Sequence, residues 1–457
     1  MRAARTRRAV LVLALVLVAS PAGASAAVAG PVPPDQPLPG YTVVAPDIAP
    51  LATPDGDTKV ITGVHRHAGF AVEVPPRWNG ELVMWAHGFR GNGPELTTDA
   101  PPDGLRGKWV EQGYAWAASS YSRNGYDVAA GVESTRELVG RFAEEVGRPE
   151  RVFLVGASMG GHVTARAIEQ DPGLYAGAMP MCGVLGDHDL FDYFLDFALS
   201  AQALSGQGGN YPPGPDYATA VLPRVYAGLG LEPGVPTATT PQAQQLVAAT
   251  VDGSGGPRPG AEASVLYWKD FLLELAVPDD EPTPVTGVAR SPGDVATNVG
   301  TDYSPDEPLD LDTAVQRVPA ADPKTRGSER LTPVAQVFGR PEVPVMSLHG
   351  LGDLFVPFRM EQVYASEVAA AGRADLLVQR AIRATGHCEF APAEVGTAWD
   401  DLVAWVDGGA EPAGDDVTDP DALADPAFGC RFSDRAAYDA AGPPSQDDTR
   451  RLYTPCP

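Results

Sequence analysis

The chemistry that this sequence suggests begins at residues 156–160, which read GASMG and have the Gly-x-Ser-x-Gly pattern of a nucleophile elbow. An apolar run, residues 151–155, precedes the pattern, and a run compatible with a helix, residues 161–170, follows it. A serine at such a strand-to-helix turn exposes its hydroxyl oxygen to a bound carbonyl carbon. The pattern therefore predicts that Ser158 is a nucleophile and that the backbone N–H of Met159 donates to an oxyanion.

A second oxyanion donor is predicted upstream of the elbow, in the loop His87-Gly88-Phe89. This loop follows an apolar run that ends at Ala86, a place where a backbone N–H can point at the same oxyanion. We assign the donor to Phe89, and a donor of this kind lowers a reaction barrier by about 3 kcal/mol. An ordinary turn with a structural His87 is the alternative.

Of the seven histidines, His387 has the position that a general base requires. It lies just after the last strand candidate, residues 376–382, and before the final helix candidate. A loop at this place overhangs the carboxyl ends of parallel strands, where the hydroxyl of Ser158 is expected. His387 is therefore predicted to accept the serine proton, whereas His162, on the elbow helix, is expected to pack or cap.

The acid that would orient this histidine is predicted to be Asp353, in a segment that follows the penultimate strand candidate. A carboxylate at that strand end hangs beside the loop of His387. Asp187 and Asp189 are alternatives, because they also follow a strand candidate and carboxylates there can reach the same imidazole. With Asp353 as the acid, the chain order is serine, aspartate, histidine.

Four motifs of this chain resemble those of the α/β-hydrolase superfamily and occur in the order used there: HGF, GASMGG, HGLGDLFVP and GHCEF. The match spans roughly residues 80–184 and 341–407, and the secreted esterase and prolyl-oligopeptidase-like branches look similar. The resemblance implies an eight-stranded, mostly parallel sheet flanked by helices. It also implies a covalent acyl-enzyme intermediate and no metal or organic cofactor.

The pattern of apolar runs independently predicts an α/β fold. Short apolar runs bounded by turn residues are typical of buried parallel strands, and here they alternate with helix-compatible stretches. The strand candidates are residues 83–86, 114–118, 151–155, 177–181, 343–348 and 376–382, and the helix candidates are residues 132–145, 159–170, 360–371 and 392–406.

The alternation breaks in the middle of the chain, which predicts an inserted cap over residues 185–340. Two apolar helix candidates, residues 190–204 and 263–277, lie there, and a structureless loop of that length is improbable. The core is then split into residues 30–184 and 341–407. Residues 408–457, rich in Asp, Pro and Gly, are predicted to form an irregular tail.

The N-terminus predicts export, and the charge bears on the binding partners. Four arginines precede a short apolar run and small-residue cleavage sites, so residues 1–29 are predicted to be a signal peptide of a secreted protein. The net charge of −26 repels phosphate backbones and anionic lipid headgroups. We therefore expect no nucleic-acid partner and no membrane partner, and the sequence leaves the oligomeric state open.

Four cysteines in an exported chain predict two disulfides, for which three pairings exist. Pairing Cys430 with Cys456 is the most economical, because it closes a short loop in the tail and contributes about 3 kcal/mol under the chain-entropy description. Cys182 would then pair with Cys388, next to the predicted site. No cysteine or histidine spacing in the chain indicates a zinc site.

The substrate contacts are less defined by the sequence. Tyr121, Arg123 and Tyr126, in a polar and aromatic loop after a strand candidate, are candidates for binding an aromatic or carboxylate-bearing group, with an ordinary surface loop as the alternative. Aromatic residues of the two cap helices either line an apolar cleft or form the core of the cap itself. They are Phe191, Tyr193, Phe194, Phe197, Tyr267, Trp268 and Phe271.

These residues lead to the hypothesis of a secreted serine hydrolase that cleaves a carboxylic ester through an acyl-enzyme intermediate. Its partner would be a small-molecule or polymeric ester. An amidase or peptidase with the same triad and an acyltransferase are alternatives within the same chemistry. A non-catalytic binding protein on a hydrolase scaffold is the alternative from another class.

Overall fold

Eight strands form one central sheet in the computed structural model, which describes residues 32–279, 282–305, 307–443 and 449–456. The predicted signal peptide, residues 1–29, lies outside the described residues. In chain order the strands are β1 (Lys59–His65), β2 (Ala68–Val74), β3 (Glu81–Ala86), β4 (Ala115–Ser119), β5 (Arg151–Ala157), β6 (Gly177–Met181), β7 (Val345–Gly350) and β8 (Leu377–Ile382).

The strands lie side by side in the order β1-β2-β4-β3-β5-β6-β7-β8. β2 is antiparallel to both of its neighbours, and every other pairing in this sheet is parallel. This arrangement confirms the predicted eight-stranded, mostly parallel sheet. It also brings the carboxyl ends of β3, β5, β7 and β8 to one edge, where the loops of the candidate site begin.

Helices cover both faces of the sheet and extend beyond it. The longer ones are α1 (Leu105–Glu111), α2 (Val128–Glu145), α3 (Met159–Gln170), α4 (Asp189–Leu204), α5 (Leu222–Leu229), α6 (Pro241–Gly253), α7 (Ala261–Glu274), α8 (Arg359–Ala370) and α9 (Pro392–Val406). Shorter elements are a π-helical turn at Tyr217–Val221, helical turns at Leu311–Ala314, Pro323–Arg326, Pro420–Ala424 and Arg435–Ala440, and two-residue strand pairs at Thr42–Val43 with Glu95–Leu96 and Ala52–Thr53 with Gly56–Asp57. No described helix is long and apolar enough to cross a membrane.

The core consists of two apolar layers, one on each face of the sheet. In β3, Leu82 and Met84 belong to the layer beneath α2 and α3, whereas Val83 and Trp85 belong to the layer beneath α1 and α9. Successive side chains of a strand point to opposite faces, so a strand that is buried on both faces is apolar at every position. That requirement explains the unbroken apolar runs in the sequence.

All six strand candidates are strands in the structure, but the β1–β2 hairpin was missing from the prediction. Its turn consists of Arg66 and His67, which both have positive φ, 49° and 72°. Two-residue hairpin turns usually signal themselves with Asn or Gly, because these residues tolerate positive φ. The Arg-His turn carries no such signal.

The middle of the chain, between β6 and β7, contains α4 to α7 and contributes no strand within its described residues. α4 packs against α5, α6 and α7. The predicted helices at 190–204 and 263–277 correspond to α4 and α7, while α5 and α6 were not predicted. Of the cap aromatics, Phe191, Tyr193 and Phe197 are buried, whereas Phe194, Tyr267, Trp268 and Phe271 remain partly exposed.

Both predicted disulfides are present, Cys182 with Cys388 and Cys430 with Cys456. The first joins the end of β6 to the loop between β8 and α9. The second closes a loop within the C-terminal tail. The tail has little regular structure, yet its segment 449–456 packs under the loop that carries His387. Thr449 accepts hydrogen bonds from that loop, and Tyr453 donates one to the Ala384 carbonyl.

His162 links α3 to two other segments of the chain. Its Nε2–H donates to the carbonyl oxygen of Ala335 at 2.6 Å, so its Nδ1 accepts the hydroxyl hydrogen of Tyr126 at 3.0 Å. The ring is fully buried, and this burial lowers the pKa of His162 to about 4. The neutral ring is therefore the form that the fold accommodates.

We expect His162 to make the fold sensitive to acid. Its unfolded-state pKa is about 6.5, so between pH 6.5 and about 4 the unfolded state binds a proton that the native state does not. Stability is full above this window and falls as the pH drops through it. On going from pH 7.5 to 4.5, the free energy of unfolding of the wild type should fall by about 2 to 3 kcal/mol more than that of His162→Gln. Equal losses in urea titrations of both proteins would contradict this assignment.

Candidate active site

Ser158 occupies the tight turn between β5 and α3. Its φ of 60° and ψ of −124° lie outside the regions that residues with a Cβ favour, and such strain is typical of functional turns. The Ser158 N–H donates to the carbonyl oxygen of Met181 at 3.0 Å, which ties the turn to the end of β6. A side chain at Gly160 would collide with the Ala86 carbonyl, so glycine is needed where α3 approaches β3.

His387 connects Ser158 to a carboxylate. Its Nε2 lies 2.9 Å from the Ser158 Oγ, and its Nδ1 lies 2.7 Å from the Oδ2 of Asp353. Because a carboxylate only accepts, Nδ1 carries the hydrogen, and Nε2 is free to accept the serine hydroxyl hydrogen. Ser158 and His387 are partly exposed, whereas Asp353 is completely buried. The structure thus brings the three predicted residues into one hydrogen-bonded line.

Asp353 is held by its own loop. Its Oδ1 accepts the backbone N–H groups of Phe355 at 3.0 Å and Val356 at 3.1 Å, which leaves Oδ2 for His387. The loop is closed by His349, whose Nε2–H donates to the Val356 carbonyl at 2.8 Å. Burial opposes the charged form of this histidine, but the hydrogen bond and charge of Glu361 outweigh burial and raise the pKa of His349.

The two alternative acids face elsewhere. Asp187 Oδ2 accepts the backbone N–H of Val337 at 2.9 Å, and its Oδ1 pairs with His188 at 2.8 Å. Asp189 lies 3.6 Å from Arg359 in an ion pair. Both carboxylates therefore bind groups near the start of α4, and Asp353 is the one in contact with His387.

The two predicted oxyanion donors flank Ser158. Met159 is the first residue of α3, and the N–H of such a residue has no acceptor within its own helix. Phe89 follows Gly88, where an added Cβ would lie only 3.0 Å from the Cβ of Ser158. The loop after β3 therefore packs directly on the serine. The Phe89 side chain is 43 % exposed, so its ring lies at the protein surface.

Tyr121, Arg123 and Tyr126 have surroundings that their sequence did not reveal. Tyr121 is buried, its ring stacks on His87 with centroids 3.9 Å apart, and its hydroxyl donates to the His87 carbonyl at 2.9 Å. The Tyr126 hydroxyl donates to His162, as described above. Both tyrosines thus support the site from within, while Arg123 is exposed and lies 3.9 Å from Asp127.

The disulfide between Cys182 and Cys388 lies next to His387. The Cys388 Sγ lies 3.5 Å from the His387 Nε2, and the Cys182 N–H donates to the Leu348 carbonyl at 2.8 Å. The two sulfurs and the histidine lie within 4.8 Å of one another, but sulfurs bonded in a disulfide are not the thiolates that metals require. This group is therefore a structural clamp on the histidine loop.

A wall of aromatic rings stands beside His387. Phe355 is centred 4.8 Å from the imidazole, and Phe271 is centred 4.8 Å from Phe355. Phe194 and Trp268 extend the wall, with centroids 6.3 and 6.5 Å from Phe355. All four rings are partly exposed. The sequence analysis had not assigned Phe355, although it lies two residues after the predicted acid and so at a site position.

Comparisons with known proteins find similarity to hydrolases. No family model matches the chain. An o-phthalyl amidase from Xanthobacter agilis is 26 % identical over 437 residues, which cover 79 % of this chain and 92 % of that protein. Similar solved structures include feruloyl esterase B from Aspergillus oryzae, which is 14 % identical, covers 80 % of this chain and 86 % of its own, and has a TM-score of 0.45. Another is a proline iminopeptidase from Mycobacterium smegmatis, which is 12 % identical, covers 77 % of this chain and 97 % of its own, and has a TM-score of 0.35.

The decisive observation is the position of Ser158 on a strand-to-helix turn of the mostly parallel sheet, with the acid and the histidine following in chain order. The protein has an α/β-hydrolase fold. The sequence relative is a hydrolase as well, which supports an enzymatic function.

The two buried aspartates of this α/β-hydrolase should differ sharply in their effect on Ser158. Asp353→Asn should slow phosphonylation of Ser158 by a fluorophosphonate probe about 10³-fold or more, because the amide cannot orient and stabilise the histidine as a carboxylate does. Asp187→Asn is the matched control, since Asp187 is also buried and hydrogen-bonded but does not contact His387. Labelling time courses that are slowed equally in both variants would refute Asp353 as the acid.

Proposed function

We propose that this α/β-hydrolase is a serine hydrolase that cleaves a carboxylic ester through Ser158, His387 and Asp353. The observation that carries the proposal is the 2.9 Å contact between the Ser158 Oγ and the His387 Nε2, with Asp353 2.7 Å from the opposite ring nitrogen. Nucleophile, base and orienting carboxylate are the parts that acyl transfer to a serine requires.

In the proposed reaction, His387 accepts the Ser158 proton while the Oγ attacks the ester carbonyl carbon. The negative charge that develops on the carbonyl oxygen is held by the N–H groups of Met159 and Phe89. The imidazolium, stabilised by Asp353, then protonates the alkoxide oxygen as the C–O bond breaks, so that it leaves as the alcohol. A water molecule, deprotonated by His387, releases the acid from the acyl-enzyme and restores the serine.

The aromatic wall formed by Phe194, Trp268, Phe271 and Phe355 supports an aromatic acyl group as the preferred substrate class. Its rings are partly exposed next to His387, and aromatic pairs gain about 0.5 to 1.5 kcal/mol beyond the burial of their area. The phthalyl group in the name of the sequence relative is also aromatic. We therefore propose an arylcarboxylic acyl group that rests on Phe355.

Amide cleavage is the second candidate function, and the sequence relative is the observation that favours it. That protein is named as an amidase, and the similarity covers 92 % of its length. The same triad serves both reactions, because the leaving nitrogen takes its proton from His387 just as an alkoxide oxygen does. Ester and amide substrates with one shared acyl group separate the two candidates.

The two disulfides support an environment outside the reducing cytosol. Together with the predicted signal peptide, they lead us to propose that the enzyme acts as a secreted protein. Its substrate would then be an extracellular ester or amide.

The proposed function is tested with nitrophenyl benzoate and benzoyl nitroanilide on the wild type and on Ser158→Ala. We expect the wild type to react with a fluorophosphonate probe and to hydrolyse the ester faster than the anilide, and the variant to do neither. Folded wild type that neither reacts with the probe nor hydrolyses either substrate would exclude a serine hydrolase. Faster turnover of the anilide would favour the amidase.

The acyl preference should depend on Phe355. We expect Phe355→Leu to lower the ratio of kcat/KM for benzoyl over hexanoyl nitrophenyl esters about 3- to 10-fold, because an aliphatic side chain cannot stack on the aryl ring. The ratio removes any general effect on the neighbouring His387. Phe432→Leu is the control, since Phe432 is a partly buried ring of the tail that packs on Arg380 of β8. An unchanged ratio in Phe355→Leu would remove the wall from substrate recognition.

A further inference from the structure

The C-terminal segment 449–456 packs against both sides of the loop that carries His387. It is anchored by the disulfide between Cys430 and Cys456, and it contains three buried polar side chains. They are Thr449, Arg450 and Tyr453. We propose that this segment is a positioning element of the active site, which sets where His387 stands relative to Ser158. The inference rests on the proposed hydrolase function.

Thr449 makes the most direct connection. Its completely buried hydroxyl accepts the backbone N–H groups of Thr385 at 2.6 Å and Gly386 at 2.9 Å, and it donates to the Glu389 Oε2 at 2.6 Å. A hydroxyl has two acceptor sites and one donor, so all of its capacity is used. Thr385 and Gly386 immediately precede His387, and Glu389 follows it by two residues. One side chain of the tail therefore holds both flanks of the histidine.

Arg450 fixes the far end of the same loop. Its guanidinium forms two hydrogen bonds with the Glu394 carboxylate, at 2.7 and 2.8 Å, and both groups are buried. Glu394 lies in the first turn of α9 and also accepts the Ala391 N–H at 2.7 Å. Two parallel bonds from a planar guanidinium restrict the orientation of the carboxylate as well as its distance. The pair thus sets where the loop ends and α9 begins.

Tyr453 extends the contact to the loop that carries the acid. Its hydroxyl donates to the Ala384 carbonyl at 3.1 Å and accepts from the Thr385 hydroxyl at 3.4 Å. A Cβ at Gly352 would lie 2.6 Å from the same hydroxyl, so the residue before Asp353 packs directly on it. The segment therefore contacts the loops of both His387 and Asp353, whose separation determines the hydrogen bond between them.

None of these tail residues contacts Ser158 or the imidazole in the described contacts, so their expected role is positional. A displacement of catalytic groups by about 1 Å can cost about 100-fold in rate. Removal of the Thr449 hydroxyl leaves the Thr385 N–H buried without an acceptor, and the Gly386 N–H keeps only its bond to the Glu389 Oε2 at 3.1 Å. The Thr385 N–H can recover a hydrogen bond only if the loop shifts. The loss should therefore appear in kcat rather than in KM.

The test compares Thr449→Val with Thr449→Ser and Thr58→Val in the full-length protein, using nitrophenyl benzoate. Thr58, the residue immediately before β1, is a matched control. Its buried hydroxyl also accepts a backbone N–H, that of Leu51 at 2.8 Å, and donates to a carboxylate, that of Glu73 at 2.5 Å. We expect kcat of Thr449→Val to fall about 10- to 100-fold with KM within about threefold of the wild type, and Thr449→Ser to recover most of the loss.

An unchanged kcat in Thr449→Val, an equal loss in Thr58→Val, or no recovery in Thr449→Ser would overturn the proposal. If Thr449→Val does not fold, Tyr453→Phe is decisive: a fall of about fivefold in kcat supports a positioning role, and wild-type kcat overturns it. The proposed function fails separately, since it is lost if the wild type itself neither hydrolyses the ester nor reacts with the fluorophosphonate probe.

Discussion

The whole structure serves one geometric constraint, which is that a hydroxyl, an imidazole and a carboxylate from three distant parts of the chain meet within hydrogen-bond distance. Ser158, Asp353 and His387 follow β5, β7 and β8, and the parallel sheet brings those strand ends to one edge. Two strands of that set, β7 and β8, are direct neighbours, so the loops of the acid and the base lie side by side. The sheet fixes the approximate positions, and the loops must supply the rest.

Buried polar groups beneath and beside these loops are held by hydrogen bonds. Buried carboxylates do much of this work: Glu361 accepts the hydrogens of Ser347 and Gln379, and Glu394 binds Arg450. Each unpaired buried polar group costs about 1 to 3 kcal/mol, so alternative loop conformations that break these bonds are disfavoured. The acidic composition of the chain therefore has a structural component inside the protein, in addition to its effect on the surface.

The sequence was most informative where the signal is local. The elbow around Ser158 and the apolar strands can be predicted from adjacent residues, since strand burial and turn geometry each impose a short pattern. The choice between Asp353 and Asp187 was harder, because both follow a strand end. It depends on Val337, a distant residue whose N–H engages Asp187. The role of Thr449 has no local signal at all, because its partners lie sixty or more residues away in the chain.

The contact between segment 449–456 and the loop of His387 affects when activity can arise during biosynthesis. A nascent chain that has been extended past His387 already contains nucleophile, acid and base, but it still lacks Thr449 and the cysteine that anchors the segment, Cys456. Until Thr449 and Cys456 are made and Cys456 has formed its disulfide with Cys430, the loop of His387 has only part of its support. On the proposed function, full activity therefore requires residues that are synthesised after all three members of the proposed triad.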